Sequence, residues 1–436
     1  MEYHFDIAII GGGLSGLFSA MILSKYTNYT IGLFEQGYSY NKRLLTQYSQ
    51  NNVRLEGIGG AGTLDGGKLC NRPASSKVWE KTSGELSTWD EFIKHLPFSK
   101  SVQSKLQYNV GYFSVNDELI EKKYNTALLL KDDMACFING LVEECEEFGV
   151  KIYPEHKLES IERTNSGFRI LFPSQEKVVE AKQVILATGR VSSQSINNLL
   201  KEFRVNVRDQ SPDLGIRIES GKATSESFAT GGDDVKLKLQ KNNSLLRTFC
   251  VCSGGELTNI AVDNVSYYDG CFGSEITDSV NFGIMERNSK RVGVETALRY
   301  CQALSDKSLN DMSVNDFLKY KSLILKGPFY AEFSETIEAV SYFIEQCFKH
   351  NYLEGDYSQY RVVLPSIDRY NPYVETTRSF ETSCENLFVI GDAAGISRGY
   401  VQSLWAGWCC SSYIVKKIKR MENDNYTTHY DELLYA

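Results

Sequence analysis

The sequence predicts an α/β protein, a parallel sheet layered with helices and interrupted by an inserted unit of mixed strands and helices. Three observations predict it. A strand–helix–strand unit fills the chain up to Glu35. Two later apolar strands, near residues 184 and 387, run directly into small residues. The stretch from 205 to 360 changes character, with short strands followed by longer helical patterns.

The first unit opens with Phe5–Ile10, a short apolar run rich in isoleucine. A glycine turn follows, then a helix expected to be amphipathic, with Leu14, Leu17, Phe18, Met21 and Ile22 on one face. The second strand, Thr30–Phe34, ends in Glu35. Gly11-Gly12-Gly13-Leu14-Ser15-Gly16 matches GxGxxG in the context that gives the pattern meaning, strand before and helix after. Gly11 allows the tight turn, Gly13 lets a pyrophosphate approach the backbone, and Gly16 lets helix and strand pack closely. Leu14 and Ser15 open the helix, whose N-terminus favours an anion. Glu35 lies nineteen residues after Gly16, placed for its carboxylate to take ribose hydroxyls, with Gln36 beside it. A Rossmann-like dinucleotide site is the reading.

Further along, Val53–Arg72 is a glycine-dense loop, and residues 75–125 mix polar and aromatic residues without a clear period. Met134–Phe148 reads as a helix with Met134, Phe137, Ile138, Leu141, Val142, Cys145 and Phe148 on one face, ended by Gly149. Strands are expected at Lys151–Tyr153, Leu158–Thr164, Phe168–Phe172 and Gln183–Ala187. The second region has strand-like pieces at Gly215–Ser220, Leu245–Cys252 and Asn259–Val262. Its helical stretches are expected at Asp278–Glu286, Thr296–Ser305 and Glu335–Phe348. An apolar strand, Asn386–Ile390, then leads into Gly391-Asp-Ala-Ala-Gly395 and a helix from about Tyr400.

The later strands narrow the nucleotide to FAD. Leu387-Phe-Val-Ile-Gly-Asp-Ala-Ala394 resembles the glycine–aspartate motif of FAD-dependent oxidoreductases, and Val184-Ile-Leu-Ala-Thr-Gly189 precedes it as a third small-residue strand end. The likeness implies that Asp392 hydrogen-bonds the ribityl or phosphate portion, while the following helix points its positive end at the flavin pyrimidine. Arg54–Leu69 (RLEGIGGAGTLDGGKL) is similar to the GxGGAGxxSDGKL loop of a bacterial family of FAD-dependent dehydrogenases. Leu214-Gly-Ile-Arg-Ile-Glu219 and Phe249-Cys-Val-Cys-Ser-Gly-Gly255 are similar to that family's LGVRIE and FCxCPGG segments, in the same order. The pattern departs at Asp65-Gly66-Gly67 where Ser-Asp-Gly is expected, at Ser253 for proline, and at Asp392 where glutamate is frequent.

The resemblance, to NAD(P)/FAD-dependent oxidoreductases with a glutathione-reductase-like FAD fold and a single dinucleotide domain, implies a three-layer FAD-binding domain with an inserted α+β substrate domain. The FAD-binding domain is expected over 1–75, 126–204 and 361–420, the substrate or cap domain over 76–125 and 205–360, and a C-terminal tail over 421–436. Besides Gly11, Gly13, Leu14, Ser15, Gly16, Glu35 and Gln36, the cofactor contacts implied are Gly60, Ala61, Gly62, Lys157, Leu158, Ala187, Thr188, Gly189, Gly391, Asp392, Gly399, Val401 and Gln402. No second GxGxxG lies between 205 and 360, so NADPH or NADH is expected only as a transient electron donor, with ferredoxin or the substrate as other sources.

Three residues are candidates for chemistry. Cys250 and Cys252 alternate, so a regular strand would aim both to one side. Cys252 is then a thiol facing the flavin as acid, nucleophile or redox partner, or simply a small buried side chain. Lys68, with Arg72, could bind a substrate carboxylate or the flavin N5 edge, or lie on a solvated face. Arg398, before the helix expected to face the flavin, could stabilise its reduced form or be an ordinary salt-bridged arginine. Adjacent Cys409 and Cys410 read as packing residues.

Composition sets the outer bounds. The 436 residues carry a net charge of −8, which argues against nucleic acid as a partner. The one dense basic run, Lys416, Lys417, Lys419 and Arg420, is read as cations at the end of the last helix. No secretory signal and no apolar run of the ~18–20 residues needed to span a membrane is seen, and eleven cysteines suit a reducing cytoplasm. The five histidines lack metal-ligand spacing. The expectation is a cytoplasmic FAD-dependent oxidoreductase that transfers a hydride between flavin N5 and a small organic substrate. A flavin monooxygenase, an FAD-dependent RNA-modifying enzyme and a non-catalytic flavin-binding protein stand as alternatives, and oligomeric state is left open.

Overall fold

The computed structural model describes residues 2–46, 53–72, 74, 76–107, 112–116, 119–173, 177–191, 193–222, 226–228, 233–262, 265–304, 311–368 and 371–434. In chain order the first elements are β1 (Glu2–Ile10), α1 (Leu14–Tyr26), β2 (Ile31–Phe34), α2 (Tyr40–Leu45) and β3 (Gly67–Cys70). They are followed by α3 (Ser76–Lys81), α4 (Trp89–Lys94), α5 (Lys100–Gln107), β4 (Tyr112–Asn116) and β5 (Leu119–Leu129). Next come α6 (Lys131–Glu147), β6 (Lys151–Tyr153), β7 (Ser160–Arg163), β8 (Phe168–Phe172), β9 (Lys177–Leu186) and α7 (Ser193–Glu202). The inserted part holds β10 (Val207–Arg208), β11 (Asp213–Gly221), β12 (Asp233–Lys241), β13 (Ser244–Ser253), β14 (Glu256–Val262), β15 (Val265–Cys271) and β16 (Ser279–Asn288). Then follow α8 (Val294–Ala303), β17 (Met312–Ser313), α9 (Val314–Ile324), α10 (Pro328–Lys349), β18 (Arg361–Asp368), β19 (Tyr373–Val374), β20 (Leu387–Val389) and α11 (Tyr400–Leu434).

Two sheets organise the molecule. In the first, β6, β2, β1 and β9 lie side by side and parallel. β20 joins β9 in parallel, and β8 and β7 add an antiparallel flank. This is the Rossmann-like α/β core, and the strand ends at Ile10, Leu186 and Val389 stand together because β9 pairs Ile10 with Leu186 and Leu186 with Val389. The second sheet is antiparallel in the order β17-β18-β11-β16-β13-β12-β5-β3, with β4 on β5. Helices α8, α9 and α10 cover it and share its core.

Helix α1 differs from its expected amphipathic form. Ser15, Gly16, Ser19, Ala20 and Leu23 are buried along with the predicted apolar face, because α6 and α11 close over the side that would otherwise meet water. Small residues make that possible. A Cβ on Gly407 would stand 2.8 Å from the carbonyl oxygen of Ser15, and Ser19 Oγ donates to Gly407 O at 3.3 Å. Helix α6 matches its expected face through Met134, Phe137, Ile138, Leu141 and Cys145, and Gly149, at φ +85°, follows its end. The predicted Phe148 is exposed.

Other expectations are corrected. Residues 279–288 form strand β16, not a helix. They are buried on both faces from Val280 to Glu286, which erases the alternation that marks a strand. The end of the glycine loop is strand β3, paired with β5. The basic run at 416–420 does not end the last helix, which continues to Leu434 through most of the expected tail. Residues 435–436, and Ser305 of a predicted helix, lie outside the described residues. The helices over 76–107, grouped in the sequence with the substrate unit, bury Val78, Trp79, Trp89, Phe92, Ile93, Leu96 and Leu106 in the first core, against Trp405 and Trp408 of α11. No helix among the described residues is long and apolar enough to cross a membrane.

The α1–α11 crossing is testable. Gly407→Val places two methyl groups where Ser15 and Ser19 stand. It is expected to cost roughly 2 kcal/mol or more in urea unfolding. A midpoint unchanged from the parent would mean that the two helices do not meet there.

Candidate functional site

The cavity at the strand ends of the first sheet has a volume of about 380 Å³ and runs from Glu35 past the glycine turn to the face of the second sheet. Gly11 must be glycine at φ +110°, since a Cβ there would stand 2.3 Å from Ala187 O. Gly13 has an ordinary extended backbone (φ −73°, ψ −179°), and a Cβ on it would meet only Gly60 Cα, at 3.7 Å. It caps α1 without any side-chain hydrogen bond, and no acid occupies the first turn. The amides and the positive end of the helix therefore face the cavity unquenched.

Across from this turn lies the loop of residues 53–66. Gly59 N donates to Gly12 O at 2.8 Å and fixes the loop over the turn. Its shape is held by Arg43, a residue that no motif or spacing singles out. The Arg43 guanidinium is 1% exposed and donates to Val53 O, Ile58 O, Gly60 O and Thr63 Oγ1. Burial lowers its pKa to about 10, with the Glu35 and Tyr40 sites opposing, so it remains a cation at neutral pH. Tyr400 OH adds a 2.9 Å bond to Gly62 O.

Most predicted cofactor residues line this one cavity: Gly11, Gly13, Leu14, Ser15, Glu35, Gln36, Gly60, Ala61, Gly62, Lys157, Leu158, Ala187, Thr188, Gly189, Asp392, Gly399 and Gln402. Gly16, Gly391 and Val401 stand behind its wall. A Cβ on Gly16 would be 2.0 Å from Gly11 O, one on Gly391 would be 2.4 Å from Ser15 Oγ, and Val401 is buried. Glu35 accepts from the backbone amides of Gly12 (2.7 Å), Gly37 (2.8 Å) and Gly57 (3.0 Å). A carboxylate has about four acceptor sites, so capacity remains for a ligand. Asp392 pairs with Arg190 at 3.4 Å. Thr188 Oγ1 is buried at the cavity without a hydrogen-bond partner among the described residues.

The far end belongs to the second sheet. Lys68 donates to Asp234 Oδ1 (2.8 Å) and to Val251 O, and Tyr124 OH donates to Asp234 Oδ2 (2.5 Å). Burial is the largest single influence and opposes the Lys68 charge, but the Asp234 carboxylate together with the sulfurs of Cys70, Cys250 and Cys252 outweighs it and raises the pKa, so Lys68 is a fixed cation. Arg72 points elsewhere, over the Trp89 ring at 5.0 Å. Arg398 lines the cavity and pairs with Asp368, whose carboxylate also binds Arg247. Cys409 and Cys410 are buried packing residues, as expected.

Strand β13 is not regular at its cysteines. Its register slips between Phe249 and Cys252, and Cys250 takes φ +44°. The two Sγ atoms lie 3.7 Å apart. Arg217, fully buried and unnoticed within its sequence landmark, donates to Cys250 O (2.8 Å), Cys252 Sγ (3.5 Å), Asp269 (3.0 Å) and Asn281. Cys252 is buried while Cys250 is partly open to the cavity. Hydrogen bonding from Cys252 lowers the Cys250 thiol to about 7 against the opposing pull of burial, whereas Cys252 is pushed well up. Cys70 and Cys271, also on the cavity, are raised to about 12 by burial. Of the two, Cys250 is the thiol more open to the cavity, while the sulfur of Cys252, singled out from the sequence, accepts from Arg217. Among the described residues no group of three or more His, Cys, Asp or Glu could hold a metal ion.

No family model matches the chain, and no curated protein matches it. Solved structures similar to it include a geranylgeranyl bacteriochlorophyll reductase-like protein from Thermoplasma acidophilum, at 13% identity over 100% of this chain and 84% of that one, TM-score 0.43. A flavoprotein/dehydrogenase from Cytophaga hutchinsonii is similar at 11% identity over 95% and 79%, TM-score 0.43. A glycine oxidase from Geobacillus kaustophilus is similar at 12% identity over 95% of both chains, TM-score 0.40.

Two outcomes follow from this geometry. Arg43→Met removes the donor to Val53 O and Ile58 O and one of two hydrogen bonds to Gly60 O, which keeps that from Thr63 Oγ1, and is expected to destabilise the chain by roughly 3 kcal/mol in urea unfolding. A loss under about 0.5 kcal/mol would show that the loop holds its shape without it. The alkylation rate of Cys250 should rise with pH through about 7 and then level, since a lowered pKa populates the reactive thiolate above that point. The groups around it are Lys68 and Cys70 of β3, Tyr124 of β5, Arg217 of β11, Asp234 and Lys236 of β12, Cys252, Asp269 and Cys271 at the end of β15, and Tyr400 of α11. Peptide mapping after timed iodoacetamide exposure reads the rate. A rate still climbing at pH ~9 would match an ordinary thiol and contradict the assignment.

Proposed function

We propose that the chain binds FAD and is an oxidoreductase that moves a hydride between the flavin and a small organic substrate. The observation that carries the reading is the uncapped, acid-free N-terminus of α1 at Gly13, opening on a cavity that a second helix N-terminus, that of α11, also enters through Gly399, Tyr400 and Gln402. An elongated ligand with a pyrophosphate at its centre matches such a site. Glu35 and Gln36 would take the adenosine ribose, Gly11, Gly13, Leu14 and Ser15 the pyrophosphate, and Asp392 with the buried Thr188 hydroxyl the linking polyol. Gly60–Gly62 and Gly399–Gln402 would flank the ring.

When bound, FAD supplies two-electron chemistry that no side chain here provides. The residues of the chain do the rest. The α11 N-terminus, without an acid in its first turn, favours negative charge on whatever lies against it. Lys68 and Arg247 present fixed positive charge at the substrate end, each held by a carboxylate, so they orient an electron-rich group without exchanging protons. Phe249 and Phe272 supply apolar wall there. NADPH or NADH is the proposed transient donor.

FAD binding is tested by reconstitution. The purified protein, incubated with FAD and desalted, is expected to show flavin bands near ~370 and ~450 nm that anaerobic NADPH or NADH bleaches. Gly13→Val separates binding from folding, because its backbone angles suit any residue and its Cβ enters the cavity. The variant should unfold at the parent's urea midpoint when both are free of FAD, yet lose at least ~100-fold in FAD affinity. A colourless parent, or a valine variant that binds FAD as the parent does, would overturn the assignment.

A further inference from the structure

Four cysteines line the far end of the cavity, and one pair is built differently from the rest. In a regular strand, alternate residues stand about 6.6 Å apart, at the long edge of the Cα separation that a disulfide spans. The register slip in β13 and the left-handed backbone of Cys250 break that regularity and bring Sγ to Sγ at 3.7 Å. A positive φ at a residue other than glycine costs energy and persists where surrounding structure enforces it. Here Arg217, buried on β11, enforces it by donating at once to Cys250 O and to Cys252 Sγ, while Asn281 and Asp269 hold the guanidinium in place. Gly270 closes the space above: a Cβ there would meet Arg217 Nη2 at 2.0 Å and Cys252 Sγ at 2.7 Å.

We propose that Cys250 and Cys252 are a dithiol–disulfide couple that exchanges with a small organic disulfide admitted to the cavity, Cys250 attacking and Cys252 resolving. In the first step the Cys250 thiolate bonds to one sulfur of the incoming disulfide, whose S–S bond breaks and releases one thiolate. In the second, Cys252 loses its proton and attacks Cys250 Sγ, the mixed disulfide breaks, and the released thiolate takes that proton. The first thiolate released takes a proton from solvent, replacing the one Cys250 gave up on ionising, so in all the substrate gains two electrons and two protons and the dithiol loses the same.

The division of roles follows from exposure. Both sulfurs border the cavity, but Cys250 is partly exposed whereas Cys252 is 1% exposed, so an incoming disulfide meets Cys250 first. The lowered Cys250 thiol supplies thiolate near neutral pH, and Cys70 and Cys271, raised by burial, do not compete. The inference rests on the FAD reading only for the onward path of the electrons, because the couple stores two, the number a flavin exchanges.

The test treats the full-length protein, after its flavin spectrum is recorded, with excess bis(2-hydroxyethyl) disulfide. Free thiols are then blocked with N-ethylmaleimide and the peptides mapped by mass. The expected product is a Cys250–Cys252 disulfide, two hydrogens lighter than the dithiol and reversed by dithiothreitol. Cys252→Ser should trap the mixed disulfide on Cys250, and Cys250→Ser should leave Cys252 unmodified. An adduct on Cys250 that never closes in the parent, or a Cys250 no faster than the other cysteines, would overturn the proposal. The two readings fail separately: closure without flavin bands sinks the FAD assignment alone, and flavin bands without closure sink the thiol couple alone. The parent's peptide map decides even if a serine variant fails to fold.

Discussion

One buried guanidinium holds the site together. Arg43 reaches from the short helix after the second strand into a glycine-dense loop whose apolar side chains are buried, and it satisfies the loop's carbonyls with a planar fork of donors. Lysine could not do this with a single ammonium, since the acceptors at Val53, Ile58 and Gly60 lie in different directions. With the loop fixed, Gly59 can donate to Gly12, and the glycine turn acquires an opposite wall. The cost is a charge removed from water, partly offset by the Glu35 carboxylate that acts on it. Glu35 itself is held by three loop and turn amides. Arginine, loop and carboxylate form one unit, so disturbing any of them disturbs the place where a ribose and a pyrophosphate would lie.

Much of the first sheet was legible because its elements are local. The run Phe5–Ile10, the turn Gly11–Gly16 and the strand ending in Glu35 announce themselves through adjacent residues, and strands β6 and β8 fall at their predicted bounds. The second sheet was harder, for a physical reason. β16 is buried on both faces, so it shows no alternation, and β3 looks like loop because it is four residues long, continues a glycine-dense stretch and pairs with the distant β5. Helix α1 misled in the opposite direction. Its apolar stripe is real, but Ser15, Gly16 and Ser19 opposite it are contact residues rather than a wet face.

The site divides along the same line. Residues that act through backbone geometry, such as Gly11 and Gly13, could be read from spacing. Residues that act through partners far away in the chain could not. Arg43 needs carbonyls of residues 53–60, Arg217 needs β13 and β15, and Tyr124 needs Asp234. Nothing in an isolated arginine or tyrosine signals such a partner. Cys250 and Cys252 stand between the two cases: their spacing drew attention to Cys252, but the bulge that exposes Cys250 is set by register against β16.

The cavity's four thiols show why register matters chemically. Cys252 is buried and the other three are partly so, and burial pushes every one of the four thiols upward. Charge does not separate them cleanly either, since Lys68 favours ionisation of Cys70 as well as of the β13 pair. What distinguishes the β13 pair is proximity: the two sulfurs lie 3.7 Å apart, close enough for one thiol's proton to stabilise the other's anion. A regular strand would hold the two sulfurs too far apart for that. The bulge is therefore the element that brings the two β13 sulfurs within reach of each other, and Arg217 spans it by donating to both cysteines.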